Sequence, residues 1–326
     1  MTSPNPPISQ IGAYQLSRLI GSGNSASVYL ASDGISEVAI KVRLRREGHQ
    51  ERFLSTRFLE GARLQKMFCH PNIVWLYDAV EERDYQALIL EYVQGGSLSD
   101  LCKSRGGKLS RYETCALGMY VADALDHVHD IGIVHRDVKP DNLIFGRQGA
   151  MESVKLADFD VSKHPLLSPN ITENGSHVGT LFYMSPEQFD QAKPKPSADV
   201  YSLGIVLYEV MTGQLPFESK SPQAAILRFL DQTPLIPLTH LTPHAGQALE
   251  WVIERAAETN PVRRIPNAAT LATLLMALEP SLFNYERAHL LLRRTHCTWI
   301  QNHLKTASVH VKSELTEQLT RVGVLT

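Results

Sequence analysis

Residues 135–142 read His-Arg-Asp-Val-Lys-Pro-Asp-Asn and follow directly on the apolar run Ile131-Gly132-Ile133-Val134. Three of these side chains carry complementary chemistry. The carboxylate of Asp137 can orient an attacking hydroxyl and accept its proton. The ammonium of Lys139 can neutralise a phosphoryl group in transfer, and the amide oxygen of Asn142 can ligate a hard cation such as Mg²⁺. A polar turn of accidental composition would not bring these groups together in this order.

Two further segments could handle phosphate. Gly21-Ser22-Gly23-Asn24-Ser25-Ala26-Ser27-Val28 is a glycine-rich stretch in which backbone N–H groups can approach an anion closely. A dinucleotide fingerprint would require a helix next. Val28-Tyr29-Leu30 instead continues as a strand, which favours a hairpin flap over nucleotide phosphates. In Val38-Ala39-Ile40-Lys41 a lysine ends an apolar strand, a costly place unless its ammonium meets anions. Glu60, read as lying on the apolar face of the next helix, is its expected partner.

These residues need elements to hold them. Short apolar runs from Tyr14 to Val42, separated by Gly-Ser-Gly and Asp33-Gly34, predict an antiparallel meander. Over 51–68 the period changes: Phe53, Arg57, Glu60, Leu64 and Met67 recur at three and four, which predicts a helix closed by His70-Pro71. Strands at Ile73–Tyr77 and Ala87–Val93 follow, and Gly95-Gly96 ends the strand-rich half. Beyond 97 helices dominate, at 111–130, at 197–212 (capped by Ser197 and closed by Gly213), and near 221–231, 244–257 and 267–278. This order predicts an α+β protein with a small β-rich lobe, a larger helical lobe and a ligand cleft between them.

Composition narrows the classes. The chain has 326 residues, 43% apolar and 20% charged, ordinary values for a folded protein. Its net charge of −2 provides no basic field for nucleic acid, so no nucleic-acid partner is expected. Cys69, Cys102, Cys115 and Cys297 are scattered without a Cys-x-x-Cys, which fits reduced thiols in a cytoplasmic protein. The start, MTSPNPPISQ, has no signal-peptide texture, and no apolar stretch approaches the roughly 20 residues of a membrane span.

The ordered set of motifs resembles the protein-kinase signature, and within it the eukaryotic-like serine/threonine kinases of bacteria. The resemblance covers about residues 12–279 and adds Leu90-Glu91-Tyr92-Val93 as the hinge between lobes, with Leu90 as gatekeeper. Asp158-Phe159-Asp160 stands where the family has Asp-Phe-Gly, and Gly179-Thr180 through Ser185-Pro186-Glu187 resembles the end of its activation segment. Asp199 matches the buried aspartate that braces the catalytic loop, and Arg264 is placed to pair with Glu187. The resemblance implies a bilobal kinase fold, with a small lobe at about 12–93 and a large lobe at about 94–279. An unstructured lead at 1–11 and a helical extension at 280–326 flank it.

It also implies roles. Lys41, paired to Glu60, would hold the α and β phosphates of ATP. Gly21, Ser22, Gly23, Val28 and Ala39 would line the nucleotide, and Glu91 and Val93 would meet adenine through their backbones. Asn142 and Asp158 would hold Mg²⁺ or Mn²⁺; Asp137 would act as the base, with Lys139 beside it. Lys139 and Thr180 favour serine/threonine chemistry on protein substrates. Arg136 would clamp an autophosphorylated residue of the activation segment, one of Ser168, Thr172 and Ser176, with Ser176 first and Thr172 second. A cognate phosphatase is an expected partner.

Three features depart from the family pattern. Ala26 replaces the third glycine, Ser185 replaces the alanine of Ala-Pro-Glu, and Asp160 replaces the glycine after Phe159. The last supports, as an alternative, a nucleotide-binding pseudokinase scaffold. In 280–326 the spacing of Trp299, Ile300, Leu304, Val311, Leu315, Leu319 and Val322 predicts one or two amphipathic helices. They would pack back on the large lobe or offer a homodimer or partner contact.

Overall fold

The computed structural model describes residues 8–23, 26–45, 48, 51–159, 181–189, 195–216, 235–282 and 285–325. Asp160, Ser168, Thr172, Ser176 and Thr180 lie outside them, as does the helix expected near 221–231.

The small lobe is an antiparallel sheet of six strands. These are β1 (Gln10–Ile11), β2 (Tyr14–Ser22), β3 (Ser27–Ser32), β4 (Glu37–Leu44), β5 (Leu76–Glu81) and β6 (Tyr85–Glu91), in the order β1-β2-β3-β4-β6-β5. One face buries Tyr29, Ala31, Val38, Ile40, Val42, Ala87 and Ile89. On the other, helix α1 (Glu51–Gln65) sets Phe58 and Ala62 against Leu76 and Leu88. Its first turn is tied to β4 by a buried fork: Arg43 Nη1 and Nη2 donate to Glu51 Oε1 and Oε2 at 2.8 and 2.7 Å.

The phase of α1 differs from the expected one. Phe58, Ala62 and Gln65 are buried, whereas Phe53 and Met67 are 49% and 58% exposed. At 3.6 residues per turn, Glu60 lies roughly 200° around the helix from Phe58 and therefore faces solvent. Gly61 takes the inward position beside Ala62. The strand expected at 73–77 also begins later. Ile73 forms a parallel bridge with Leu156 and Val74 N donates to Leu156 O at 3.0 Å, so this backbone is engaged with the large lobe before β5 starts.

Helix α2 (Leu98–Ser104) opens the large lobe, with a Ser97/Asp100 capping box that satisfies two orphan N–H groups. Helix α3 (Arg111–Asp130) has its own box, Ser110/Glu113, and is the spine of the lobe. Strands β7 (Leu143–Phe145) and β8 (Val154–Leu156) form a small hairpin beside it. Helices α4 (Pro186–Phe189), α5 (Ser197–Thr212), α6 (Leu238–Leu241), α7 (Gln247–Ala256) and α8 (Ala268–Leu278) complete the packing. Gly118 on α3 allows the close approach: a Cβ there would sit 2.6 Å from Leu275 and 2.9 Å from Leu207. Ser197 does not cap α5. Pro196 occupies the cap position without a side-chain bond, and Ser197 is already inside the first turn; Gly213, at φ +78°, does close it.

Three helices follow: α9 (Tyr285–Arg294), α10 (Cys297–Leu304) and α11 (Val309–Arg321). Helices α9 and α11 lie against α8, and α11 also against α7. Ile300, Leu304, Val311, Leu315 and Leu319 join the core of the large lobe. Arg294 donates to Asp126 and Asp130 of α3 at 3.0 and 2.8 Å.

Candidate active site

The catalytic segment hangs between α3 and β7. Asp199, fully buried at the start of α5, accepts the backbone N–H of His135 at 2.8 Å and of Arg136 at 2.7 Å, and lies 2.7 Å from His129 Nε2. Burial pushes its carboxyl up, but the hydrogen bond and charge of His129, then His135 and the Arg136 amide, pull it below the usual range. This is the brace expected of Asp199. It holds Arg136 in a left-handed conformation, φ +69°, that costs a non-glycine residue about 1–2 kcal/mol.

Within that loop Lys139 Nζ donates to both oxygens of Asp137, at 3.0 and 3.1 Å. Asn142 Nδ2 donates to the Asp137 carbonyl at 2.7 Å and to its Oδ2 at 3.0 Å. The three groups first singled out therefore converge. Because the nitrogen of Asn142 is used in this way, its oxygen is the end left to act as a donor to a cation. That oxygen and the carboxylate of Asp158 are both of the kind a hard divalent ion takes. Among the described residues no group of three or more His, Cys, Asp or Glu is arranged to hold a metal by itself, so a bound ion would need further oxygens, such as phosphate.

Asp158 also sits at positive φ, +65°, just after β8. Phe159 beside it is buried, its ring 4.7 Å from His135 and 4.8 Å from Phe68. That stack links the catalytic loop to the end of α1. Across the cleft Lys41 Nζ bonds Asp158 Oδ1 at 2.5 Å. Here the structure departs from expectation. Lys41 takes Asp158 rather than Glu60 because the phase of α1 turns Glu60 to solvent. Replacing Glu60 by alanine is expected to change the stability of the fold by no more than about 0.5 kcal/mol, the scale of an exposed substitution, in urea unfolding.

The residues expected to line a nucleotide lie mostly on the inner strands β2, β3, β4 and β6. Gly21 pairs with Val28 and Ser22 with Ser27, while Gly23 N donates to Ala26 O at 2.9 Å, so β2 and β3 stay joined as far as Gly23 and Ala26. Val28 faces Lys41 and Ala39 faces Leu90 in register. Glu91 ends β6: its N–H donates to Trp75 O at 2.9 Å and its carboxylate lies 3.1 Å from Lys155 Nζ. Val93 is half-buried two residues on.

Two positioning residues had no place in the sequence reading. Asn72, buried, donates to Val154 O at 2.7 Å and Glu152 O at 3.1 Å, tying the loop after α1 to β8. Gln188, also buried, bonds the Arg136 carbonyl. The dipeptide Pro71-Asn72 after a helix signals a turn but not this contact, and nothing around Gln188 signals its contact. The expected Arg264–Glu187 pair is present as a fork of 2.5 and 2.9 Å, with Arg264 fully buried.

Comparison with known proteins shows the family. Residues 14–276 match the family model described as "Protein kinase domain". The chain belongs to the protein kinase family. The kinase is 35% identical to the serine/threonine-protein kinase PrkC of Bacillus subtilis over 280 residues, covering 85% of this chain and 42% of that protein. It is 32% identical to the serine/threonine-protein kinase PknB of Mycobacterium leprae over 279 residues, covering 83% and 43%. The figures for the serine/threonine-protein kinase pkn2 of Myxococcus xanthus are 32% over 278 residues, 83% and 33%. The chain thus spans less than half the length of these relatives. Its family is that of bacterial, eukaryotic-like serine/threonine kinases, and family membership implies use of ATP and a divalent metal. No helix among the described residues is long and apolar enough to cross a membrane.

His135 gives the kinase a pH signature. Burial holds its imidazole below its ordinary 6.5, against the opposing pull of Asp199 and Asp137. On unfolding the ring regains that ordinary value, so below about pH 6.5 the unfolded chain binds a proton the folded chain refuses. Stability is full above pH 6.5 and is lost as pH falls from there toward the folded value. The melting temperature is expected to drop between pH 7 and 5, with a shallower slope in His135→Asn.

Proposed function

We propose that this kinase transfers the γ-phosphoryl group of ATP to serine and threonine hydroxyls of protein substrates. The observation that carries the reading is the Asp137–Lys139–Asn142 cluster, together with the Lys41 ammonium bonded to Asp158. In this reading Asp137 orients the acceptor hydroxyl and takes its proton at the carboxylate. Lys139, already bonded to that carboxylate, turns toward the phosphoryl group as its charge shifts. Lys41 holds the α and β phosphates, and backbone N–H groups of the 21–26 loop cover the β and γ phosphates. Glu91 and Val93 offer backbone groups to adenine. Asn142 and Asp158 hold Mg²⁺ (Mn²⁺ as a substitute), which supplies charge neutralisation when bound. Positioning and electrostatics then do most of the work.

Arg136 and Thr180 extend the proposal to regulation. We assign autophosphorylation to 160–180, at Ser176 or Thr172, with Arg136 as the clamp. The four cysteines are scattered free thiols, which supports a reducing, cytoplasmic setting. A phosphatase that reverses the modification, and a homodimer or partner contact through 280–326, belong to the same proposal. Acid hydrolysis of labelled product from a mixed protein acceptor tests the chemistry. Phosphoserine and phosphothreonine are expected, and phosphotyrosine alone would overturn the assignment. Mass spectrometry of active enzyme is expected to find phosphate within 160–180.

A further inference from the structure

Ser185 is the departure from the family motif that the function leaves unused, and it leads to a positioning residue. Its side chain is fully buried, and both its N–H and its hydroxyl donate to Gln188 Oε1, at 3.1 and 3.0 Å. Two donors on one oxygen decide the orientation of the amide. The NH₂ end of Gln188 must then point the other way, where it donates to the carbonyl of Arg136 at 3.1 Å. Gln188 is itself only 2% exposed, so the bond is shielded from water.

That carbonyl belongs to the peptide joining Arg136 to Asp137. The N–H of Arg136 is held by Asp199 at 2.7 Å, and its φ is +69°. A strained residue is therefore clamped at both ends, by a carboxylate on one side and an amide on the other. Strain of this kind persists only where the surroundings over-determine it. An alanine at 185 would remove one of the two donors that orient the amide.

We propose that Gln188, oriented by Ser185, is a positioning residue that fixes the Arg136–Asp137 peptide and so aims the Asp137 carboxylate at the acceptor hydroxyl. It couples the start of α4, at the end of the activation segment, to the catalytic loop. Rearrangement before residue 185 would reach Asp137 through this amide. The inference rests on the assignment of Asp137 as the hydroxyl-orienting group.

The test is steady-state kinetics of the full chain with Mg-ATP and dephosphorylated casein. Gln188→Ala and Gln188→Glu are each expected to lower kcat by about tenfold, because small misplacements of a catalytic group are costly. The KM for ATP should stay within twofold, since Lys41 and the hinge are untouched. Ser185→Ala is expected to cost about threefold in kcat in the wild-type background and nothing further beside Gln188→Ala. A kcat within twofold of wild type in Gln188→Ala overturns the proposal. So does a fall shared equally between kcat and ATP affinity, or strict additivity of the two substitutions. If Gln188→Ala does not fold, the milder Ser185→Ala decides: unchanged kcat overturns the inference. Asp137→Asn separates the two levels. An active Asp137→Asn sinks the underlying assignment, whereas an inactive one beside a fully active Gln188→Ala sinks this inference alone.

Discussion

Asp137→Asn is expected to lower kcat by about a thousandfold while leaving the KM for ATP within a few-fold of wild type. The change keeps the size of the side chain but removes the group that accepts the proton, and a positioned base contributes about 10²–10⁴. Lys139 and Asn142 both point at this carboxylate, so an amide there also disturbs the bonds of 3.0 and 3.1 Å from Lys139. ATP affinity should hold because Lys41, Glu91 and the glycine hairpin lie across the cleft. A fall confined to KM would mean that Asp137 serves nucleotide binding instead. A comparison of kcat and KM at saturating casein distinguishes the two.

The second large effect is on stability. Arg264→Ala is expected to destabilise the fold by about 3–5 kcal/mol, the cost of breaking a buried ion pair by removing one partner. The guanidinium is fully buried and makes the fork to Glu187 at 2.5 and 2.9 Å. It also donates to Ser197 O, Glu258 O and Thr259 O, and lies over the ring of Tyr201. Removing it orphans those carbonyls and leaves Glu187 without its counter-charge. Against a total of about 5–15 kcal/mol this is a large share. Urea unfolding measures it, and a loss under 1 kcal/mol would show that the fork contributes little. Because Glu187 lies in the first turn of α4, which carries Gln188, the variant should also lose kcat when assayed well below its unfolding midpoint.

The groups that lie close together along the chain were the easiest to read. Asp137, Lys139 and Asn142 sit in one loop, so their types and spacing already imply convergence, and 2.7–3.1 Å bonds join them. Asp199 and Arg264 were reachable only through the family resemblance, because their partners lie 63 and 77 positions away. Helix α1 shows the limit of periodicity. A spacing of three and four fits more than one face when apolar residues lie all round, and Phe53 and Met67 suggested the wrong one. The burial of Phe58 and Ala62 against β5 and β6 sets the phase, and that contact is tertiary.

Other features were present but overlooked, or invisible. Ser97-Leu98-Ser99-Asp100 is a capping-box pattern, and it opens α2, a helix that was not expected. The two-stranded pairing of Leu143 with Leu156 carries no local signal, since each strand has only three residues. The contact from Gln188 to Arg136 joins residues 52 positions apart and leaves no trace in periodicity. The tail was legible as amphipathic helices, but what they cover is decided by the apolar surfaces of α7 and α8.

The central claim is that the cleft between Lys41 and Asp137 performs phosphoryl transfer. Incubation of the purified chain with γ-labelled ATP, Mg²⁺ and casein tests it most directly, with Asp137→Asn in parallel. The expected result is label on serine and threonine of casein or of the chain itself, falling about a thousandfold in the variant. Saturable ATP binding with no label transferred, by wild type and variant alike, would contradict it.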